Sequence, residues 1–252
     1  MWRGEAVDKN IKRTDPPRSA KFISVAAKDT PFAYTEAFKT LRTNLGFLTN
    51  TSGVHCILIT SALPEESKST TAINLALTLA SSGHSVVLVE GDLRRPVLRK
   101  YLRRELGQTG LASYLAGVVG LEDCLVTLPD LGISVIPAGV IPPNPSELLN
   151  SRRMGDLIET LKLNFDYVLL DAPPVNLVTD AAVVGRMTDG ALLVVRSRFA
   201  SARTIRQAKA RLESVGIRIL GGVLTRFDLK KSGWRGGYDY RTYDYGYGRG
   251  RR

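Results

Sequence analysis

The chain has 252 residues, a hydrophobic fraction of 44% and a formal net charge of +11. That length is enough for one large core, and the longest apolar runs, such as 191–195, fall far below the roughly 20 residues that a membrane-spanning helix needs. Residues 1–18 are polar and lack the apolar stretch of a signal peptide, so we expect a cytoplasmic chain whose membrane contacts are peripheral.

The positive charge is concentrated at the two ends of the chain. Residues 1–30 hold seven basic and four acidic side chains, a net of +3, and residues 230–252 hold seven basic and two acidic ones, a net of +5. The amino-terminal end is polar and carries Pro16-Pro17, and the carboxyl-terminal end has almost no aliphatic residues. We therefore predict a flexible basic leader over 1–29, a folded domain over 30–229 and a disordered tail over 230–252 that is rich in Tyr, Gly and Arg.

Helices and strands are predicted to alternate along the folded domain. The first helix is expected to begin with Thr30 as N-cap and Pro31 at its first position. The predicted helices cover 30–48, 68–81, 97–106, 111–115, 151–163, 180–187 and 201–215. The predicted strands cover 56–60, 85–89, 133–137, 167–170, 191–195 and 217–224. Because the strands are continuously apolar rather than alternating, they indicate a parallel sheet that is buried on both faces by helices.

Polar or acidic residues follow three of these strands, at the edge where an open parallel sheet binds its ligands. The first strand leads into the loop 61–67, and Lys-Ser-Thr at 68–70 then opens a helix. This order is typical of a P-loop, whose lysine reaches the outer phosphates and whose hydroxyl binds magnesium. Glu90 and Asp92 follow the second strand, and Asp171 ends a later one, where a magnesium-positioning acid is expected. Together they predict an α/β fold of the P-loop NTPase type, with a mostly parallel central sheet between helices.

These motifs resemble those of the bacterial tyrosine kinases (BY-kinases) of the capsule and exopolysaccharide type, in their free-standing cytoplasmic form. The resemblance runs from Phe32 to the C-terminus. Asp-Leu-Arg-Arg-Pro at 92–96 and Asp-Ala-Pro-Pro at 171–174 match the family's patterns. So does Pro-Pro-Asn-Pro-Ser-Glu-Leu-Leu at 142–149, a stretch long enough to make a chance match improbable.

The resemblance implies phosphoryl transfer to tyrosine, with ATP and Mg²⁺ as cofactors. It implies that Lys68, Glu90 and Asp92 are catalytic, with Glu90 as the base, and that Ser69, Asp92 and Asp171 position magnesium. The implied nucleotide-binding residues are Ser61, Pro64, Glu66, Ser67, Lys68, Ser69 and Thr70. The domain over 30–229 is accordingly expected to be kinase-like.

The phosphate loop departs from the family's pattern. Glu65 and Ser67 stand where the family has glycines, which permit a positive φ and a close approach of backbone to phosphate. A glutamate at 65 would strain the loop by about 1–3 kcal/mol if the P-loop conformation is kept. Glu90 replaces the first aspartate of the family's Asp-x-Asp pair. The alternative interpretation is therefore an inactive or weakly active pseudokinase that serves as a regulatory scaffold for polysaccharide export. A second alternative is a partitioning ATPase related to MinD and ParA.

The resemblance also implies how the chain assembles and is modified. Glu36, Lys39 and Arg42 resemble the family's oligomer-forming helix and predict a ring-shaped homo-oligomer. The tyrosines expected to be phosphorylated are Tyr238, Tyr240, Tyr243, Tyr245 and Tyr247. The implied partners are a membrane-embedded polysaccharide co-polymerase or activator subunit, which would hold the chain at the inner face of the membrane, and a tyrosine phosphatase. No nucleic-acid partner is expected.

Overall fold

The computed structural model describes residues 24–27, 29–52 and 55–227. Within them a seven-stranded sheet has the order β3-β4-β2-β5-β1-β6-β7. The strands are β1 (Cys56–Ser61), β2 (Val86–Glu90), β3 (Val126–Leu128), β4 (Ile133–Ile136), β5 (Tyr167–Asp171), β6 (Gly190–Arg196) and β7 (Ile219–Thr225). Every pairing is parallel except that of β3 with β4. The mostly parallel sheet predicted from the sequence is confirmed.

Helices cover both faces of the sheet. They are α1 (Phe32–Ser52), α2 (Lys68–Ala80), α3 (Leu98–Leu102), α4 (Leu111–Leu115), α5 (Pro145–Leu149), α6 (Arg152–Asn164), α7 (Asp180–Gly185) and α8 (Ala202–Glu213). Successive residues of β1 enter different cores: Ile57 and Ile59 pack with α1, α2 and α3, whereas Leu58 packs with α6 and α7 on the other face. Because both faces are buried along the central strands, those strands carry no polar alternation.

Two elements, β3 and α5, were not predicted from the sequence. Strand β3 has three residues, and only Leu128 is buried, so it carries no continuous apolar run. Helix α5 begins at Pro145 inside a proline-rich stretch whose composition favours a loop. Helix α3 is also shorter than predicted, because Arg103 adopts a left-handed conformation with φ 52° and ends it after Leu102.

The amino-terminal boundary differs from the prediction. Helix α1 begins at Phe32, and the hydroxyl of Thr30 donates to the carbonyl oxygen of Ser24. The N–H of Val25 donates to Oδ1 of Asn74 on α2 over 2.7 Å, and its side chain packs against the α1–α2 core. The described residues of the predicted leader therefore contact the domain. Most of that leader and all of the predicted tail after 229 lie outside the described residues. No helix within the described ranges is long and apolar enough to cross a membrane.

Candidate active site

The loop between β1 and α2 has the backbone of a phosphate-binding loop although it contains no glycine. Glu65 has φ 63° and Ser67 has φ 71°, so both residues that replace glycines are left-handed. Ser67 is the N-cap of α2 and makes no capping bond with its side chain. The first N–H groups of this helix of 13 residues are therefore directed towards an anion site, which the helix dipole favours.

The positively charged group of the site lies between two carboxylates. Nζ of Lys68 is 3.0 Å from Oδ2 of Asp92 and 3.3 Å from Oδ1 of Asp171. Burial lowers the pKa of Lys68, but the charges of Asp171 and Asp92 outweigh it and raise the pKa overall, so the ammonium stays protonated. Nζ also lies 3.3 Å from Oγ of Ser69. The structure thus brings together four residues that the sequence placed on three separate segments.

The carboxylate of Asp171 offers a place for a metal ion. It is fully buried, burial raises its pKa, and its Oδ2 has no hydrogen-bond partner in the described part of the molecule. The described residues contain no group of three or more His, Cys, Asp or Glu side chains that could hold a metal by themselves. Magnesium needs no such group, because it binds through one or two carboxylates, a hydroxyl, phosphate oxygens and water. The donor set of Ser69, Asp92 and Asp171 therefore fits magnesium bound together with a nucleotide.

Glu90 lies at the end of β2 but is not part of this cluster. Its Oε1 accepts the N–H groups of Val97 over 2.5 Å and Leu98 over 2.7 Å, and its Oε2 accepts that of Ala138 over 3.0 Å. The side chain is 2% exposed, and burial raises its pKa. The longer side chain thus joins the start of α3 to the loop after β4. These contacts give Glu90 a structural role in the described part of the chain, and its role as base stays a prediction.

The remaining residues predicted in the phosphate loop make hydrogen bonds within the loop or lie half-buried in it. Oγ of Ser61 donates to the carbonyl oxygen of Leu63 over 2.7 Å, and the buried carboxylate of Glu66 accepts the N–H of Leu63 over 2.7 Å. Pro64 and Thr70 are half-buried beside them. These contacts hold the loop in its conformation, and the part of these residues in nucleotide binding stays a prediction.

One charged contact at this edge was not foreseen from the sequence. Nε of Arg94 donates to Oδ2 of the fully buried Asp180 over 2.7 Å, and Oγ of Ser146 donates to Oδ1 of the same carboxylate over 2.6 Å. The contact joins the motif at 92–96 to the motif at 142–149 through the first residue of α7. In the sequence, both motifs match patterns of the same family, and that match was the signal that they belong to one site.

The predicted interface residues make contacts within the chain. Nζ of Lys39 lies 2.7 Å from Oε1 of Glu36 on the exposed side of α1, and Arg42 donates to the carbonyl oxygen of Thr78 over 3.0 Å. Their part in an oligomer stays a prediction. The five tail tyrosines lie outside the described residues.

Comparisons with known proteins agree with this arrangement. The family model described as "AAA domain" matches residues 65–216. Tyrosine-protein kinase YwqD of Bacillus subtilis (strain 168) is 32% identical over 236 residues, which are 94% of this chain and 94% of that protein. The kinase domain of Escherichia coli tyrosine kinase ETK is 35% identical and superposes with a TM-score of 0.76, covering 90% of each chain.

A second group of solved structures shares the fold at a greater distance. The septum site-determining protein MinD of Pyrococcus horikoshii OT3, complexed with Mg-ADP, is 26% identical, with a TM-score of 0.59 over 68% of this chain and 69% of that one. The fold is therefore that of the P-loop NTPases, and nucleotide binding is common to both groups of relatives. Because the tyrosine kinases match more closely and over more of the chain than MinD does, this chain belongs to the family of bacterial tyrosine-protein kinases.

Proposed function

We propose that the chain transfers the γ-phosphoryl group of magnesium-bound ATP to tyrosine hydroxyls. The observation that carries the proposal is the position of Lys68, whose ammonium lies between the carboxylates of Asp92 and Asp171 at the N-terminus of α2. A nucleoside triphosphate with magnesium requires a cation, acids that hold the metal ion, and free N–H groups at a helix N-terminus. This site has all three, beside a loop with left-handed backbone.

Each residue of the cluster has a proposed part in the transfer. Lys68 and the loop N–H groups of residues 65–70 would bind the outer phosphates. Ser69, Asp92 and Asp171 would hold magnesium, directly or through water, and the ion would neutralise charge on the phosphates. Outside this cluster, Glu90 stays the proposed base: as the tyrosine oxygen bonds to the γ-phosphorus and the bond to ADP breaks, the phenolic proton would pass to its carboxylate. Transfer of this kind depends mostly on positioning and charge neutralisation.

We propose the tyrosines of the tail as substrates. Strand β7 runs parallel to β6, so its carboxyl end at Thr225 lies at the same edge of the sheet as the phosphate loop. The chain therefore leaves the described domain at the edge where phosphoryl transfer would occur. Phosphorylation of three tyrosines, each adding about −1.5 to −2 charge, would take the tail from +5 to about neutral. A tyrosine phosphatase would reverse this change.

The cellular role that we propose is control of capsular or exopolysaccharide synthesis and export. It follows from the match of this chain to the tyrosine-protein kinases, together with the motif at 142–149. We propose that the chain acts at the inner face of the membrane as a ring-shaped oligomer, recruited by the cytoplasmic segment of a membrane-embedded partner. The exposed Glu36–Lys39 pair on α1 is the proposed contact between subunits.

The decisive experiment incubates the purified full-length chain with magnesium ATP, with and without a cytoplasmic activator fragment, and measures phosphotyrosine by mass spectrometry. We expect modification within 238–247 that depends on magnesium and on Lys68. Phosphotyrosine that persists in Lys68→Met would contradict the proposed site, because it would point to a contaminating kinase. A chain that binds ATP but transfers no phosphate under any condition would exclude the enzymatic role.

A second candidate function is a regulatory scaffold without catalysis. The observation that favours it is the left-handed backbone at Glu65 and Ser67, which costs free energy for any residue with a Cβ. Calorimetric titration with ATP and magnesium separates the two functions. A kinase must bind the nucleotide at millimolar concentrations or below, whereas a scaffold need not bind it.

A further inference from the structure

The middle of the phosphate loop is held in an unfavourable conformation. Glu65 and Ser67 both have positive φ, 63° and 71°, on either side of Glu66. Neither has the freedom of glycine, so the loop would relax if nothing outside it fixed its backbone. What holds the loop must therefore contact Glu66 or its immediate neighbours.

Glu66 is fixed through both its side chain and its backbone. Its carboxylate is 1% exposed and accepts the N–H of Leu63 over 2.7 Å and the N–H of Arg196 over 3.3 Å. Its carbonyl oxygen accepts the hydroxyl of Thr225 over 2.9 Å. The two contacts to Arg196 and Thr225 come from β6 and β7, which are remote from the loop in sequence.

Thr225 is well placed to hold the loop rigidly. It is the last residue of β7, and its own carbonyl oxygen accepts the N–H of Ser197 over 2.9 Å, which fixes its backbone to the end of β6. The hydroxyl proton has a second acceptor in the carbonyl oxygen of Val195, but at 3.5 Å this bond is much the weaker. The hydroxyl of Thr225 therefore donates mainly to the carbonyl oxygen of Glu66.

We propose that Thr225 is a positioning residue which, through the carbonyl oxygen of Glu66, keeps the phosphate loop in its nucleotide-binding conformation in the absence of glycines at 65 and 67. The inference concerns the same site as the proposed function and rests on it. It adds that the divergent loop depends on a hydroxyl at the end of the outermost strand, β7. A loop with glycines at both positions would not need that hydroxyl.

The test is a cycle of substitutions in full-length protein. Thr225→Val removes the hydroxyl and keeps the shape and β-branching, and Thr225→Ser restores the hydroxyl. In the parent chain we expect Thr225→Val to raise the Kd for magnesium ATP about tenfold and Thr225→Ser to change it less than about twofold. In the Glu65→Gly/Ser67→Gly background we expect Thr225→Val to change the Kd less than about twofold, because the loop is no longer strained. Equal effects in both backgrounds would overturn the inference.

A second readout does not need a nucleotide. Hydrogen exchange of the peptide 61–70 in the nucleotide-free protein should be faster in Thr225→Val than in the parent and unchanged in Thr225→Ser. Thr188→Val is the matched control, since its hydroxyl also donates to a backbone carbonyl oxygen, that of Gly185 over 2.7 Å, away from the loop. It should leave the peptide's exchange unchanged. If no variant binds ATP, the proposed function fails and exchange alone decides this inference: unchanged exchange in Thr225→Val overturns it.

Discussion

Nζ of Lys68 lies 3.0 Å from Oδ2 of Asp92, although Lys68 opens α2 and Asp92 follows β2. Asp171 is the third member of the cluster, at 3.3 Å from the same ammonium. We expect Lys68→Met to lower phosphoryl transfer at least about 100-fold, because the phosphates lose their cation. It should also destabilise the fold by about 3–5 kcal/mol, since Asp171 is left buried without a counter-charge. Kinase assays and urea unfolding measure the two effects.

The control for this prediction is Lys100→Met, which removes an exposed lysine from α3. It should change neither the rate nor the free energy of unfolding by a measurable amount. Equal losses in both variants would show that the cluster around Lys68 has no special role.

Restoring the two missing glycines should improve nucleotide binding. We expect Glu65→Gly with Ser67→Gly to tighten the Kd for magnesium ATP about tenfold, equivalent to about 1.4 kcal/mol. The left-handed backbone then costs no strain, and a carboxylate that is 70% exposed near the phosphates is removed. Glu65→Gln separates the two causes, because it removes the charge and keeps the strained φ. If the parent and the double variant have the same Kd by calorimetry, the loop is not limited by its missing glycines.

The contact between Arg94 and Asp180 should stabilise the edge of the sheet beside the site. We expect Arg94→Met to lower the free energy of unfolding by about 1–3 kcal/mol, because the fully buried carboxylate of Asp180 keeps only Ser146 as a side-chain partner. Ser146→Ala should cost about 1 kcal/mol. Arg95→Met, at the exposed neighbouring position, is the control. A smaller loss for Arg94→Met than for Arg95→Met in urea unfolding would contradict the prediction.

Asp189 should make stability depend on pH at the opposite edge of the sheet. Burial raises its pKa, but the N–H groups of Cys56 and His55 and the ammonium of Lys162 outweigh burial and hold the pKa below its usual range. A carboxyl with a lowered folded pKa adds stability above its unfolded pKa and loses it as the pH falls through the folded pKa. We expect Asp189→Asn to cost about 1–2 kcal/mol at pH 7, and we expect this cost to shrink as the pH falls below the ordinary aspartate range and through the lowered folded pKa.

Urea unfolding of the parent and Asp189→Asn at several pH values checks this dependence. Asp156→Asn is the control, because its carboxylate is 62% exposed and lies 3.9 Å from Arg152. A loss of unfolding free energy in Asp189→Asn that instead stays constant down to pH 2 would contradict the prediction. That result would mean that the carboxylate contributes hydrogen-bond geometry and not charge.

Much of the fold could be predicted because its strands are buried on both faces. The apolar runs around Ile57, Val87, Val168 and Ala191 are typical of strands in a helix-covered parallel sheet, and they pair in that way. Strand β3 and helix α5 could not be predicted in the same way. The first is stabilised by pairing with β4 and the second by packing beside α4 and α7, and neither contact leaves a periodic pattern in the sequence.

The candidate site, like the fold, has parts that the sequence predicts and parts that it does not. The sequence predicted that Lys68, Asp92 and Asp171 lie together, because each comes at or after the carboxyl end of a strand, at the edge where ligands bind. The contacts of the neighbouring side chains could be read only from the folded chain. Glu90 has the charge of a base, yet its carboxylate accepts the N–H groups of Val97 and Leu98 at the start of α3 and that of the remote Ala138. Long-range hydrogen bonds and the direction of a side chain depend on which loops lie next to each other in the folded chain. Residue type and local spacing do not predict that arrangement.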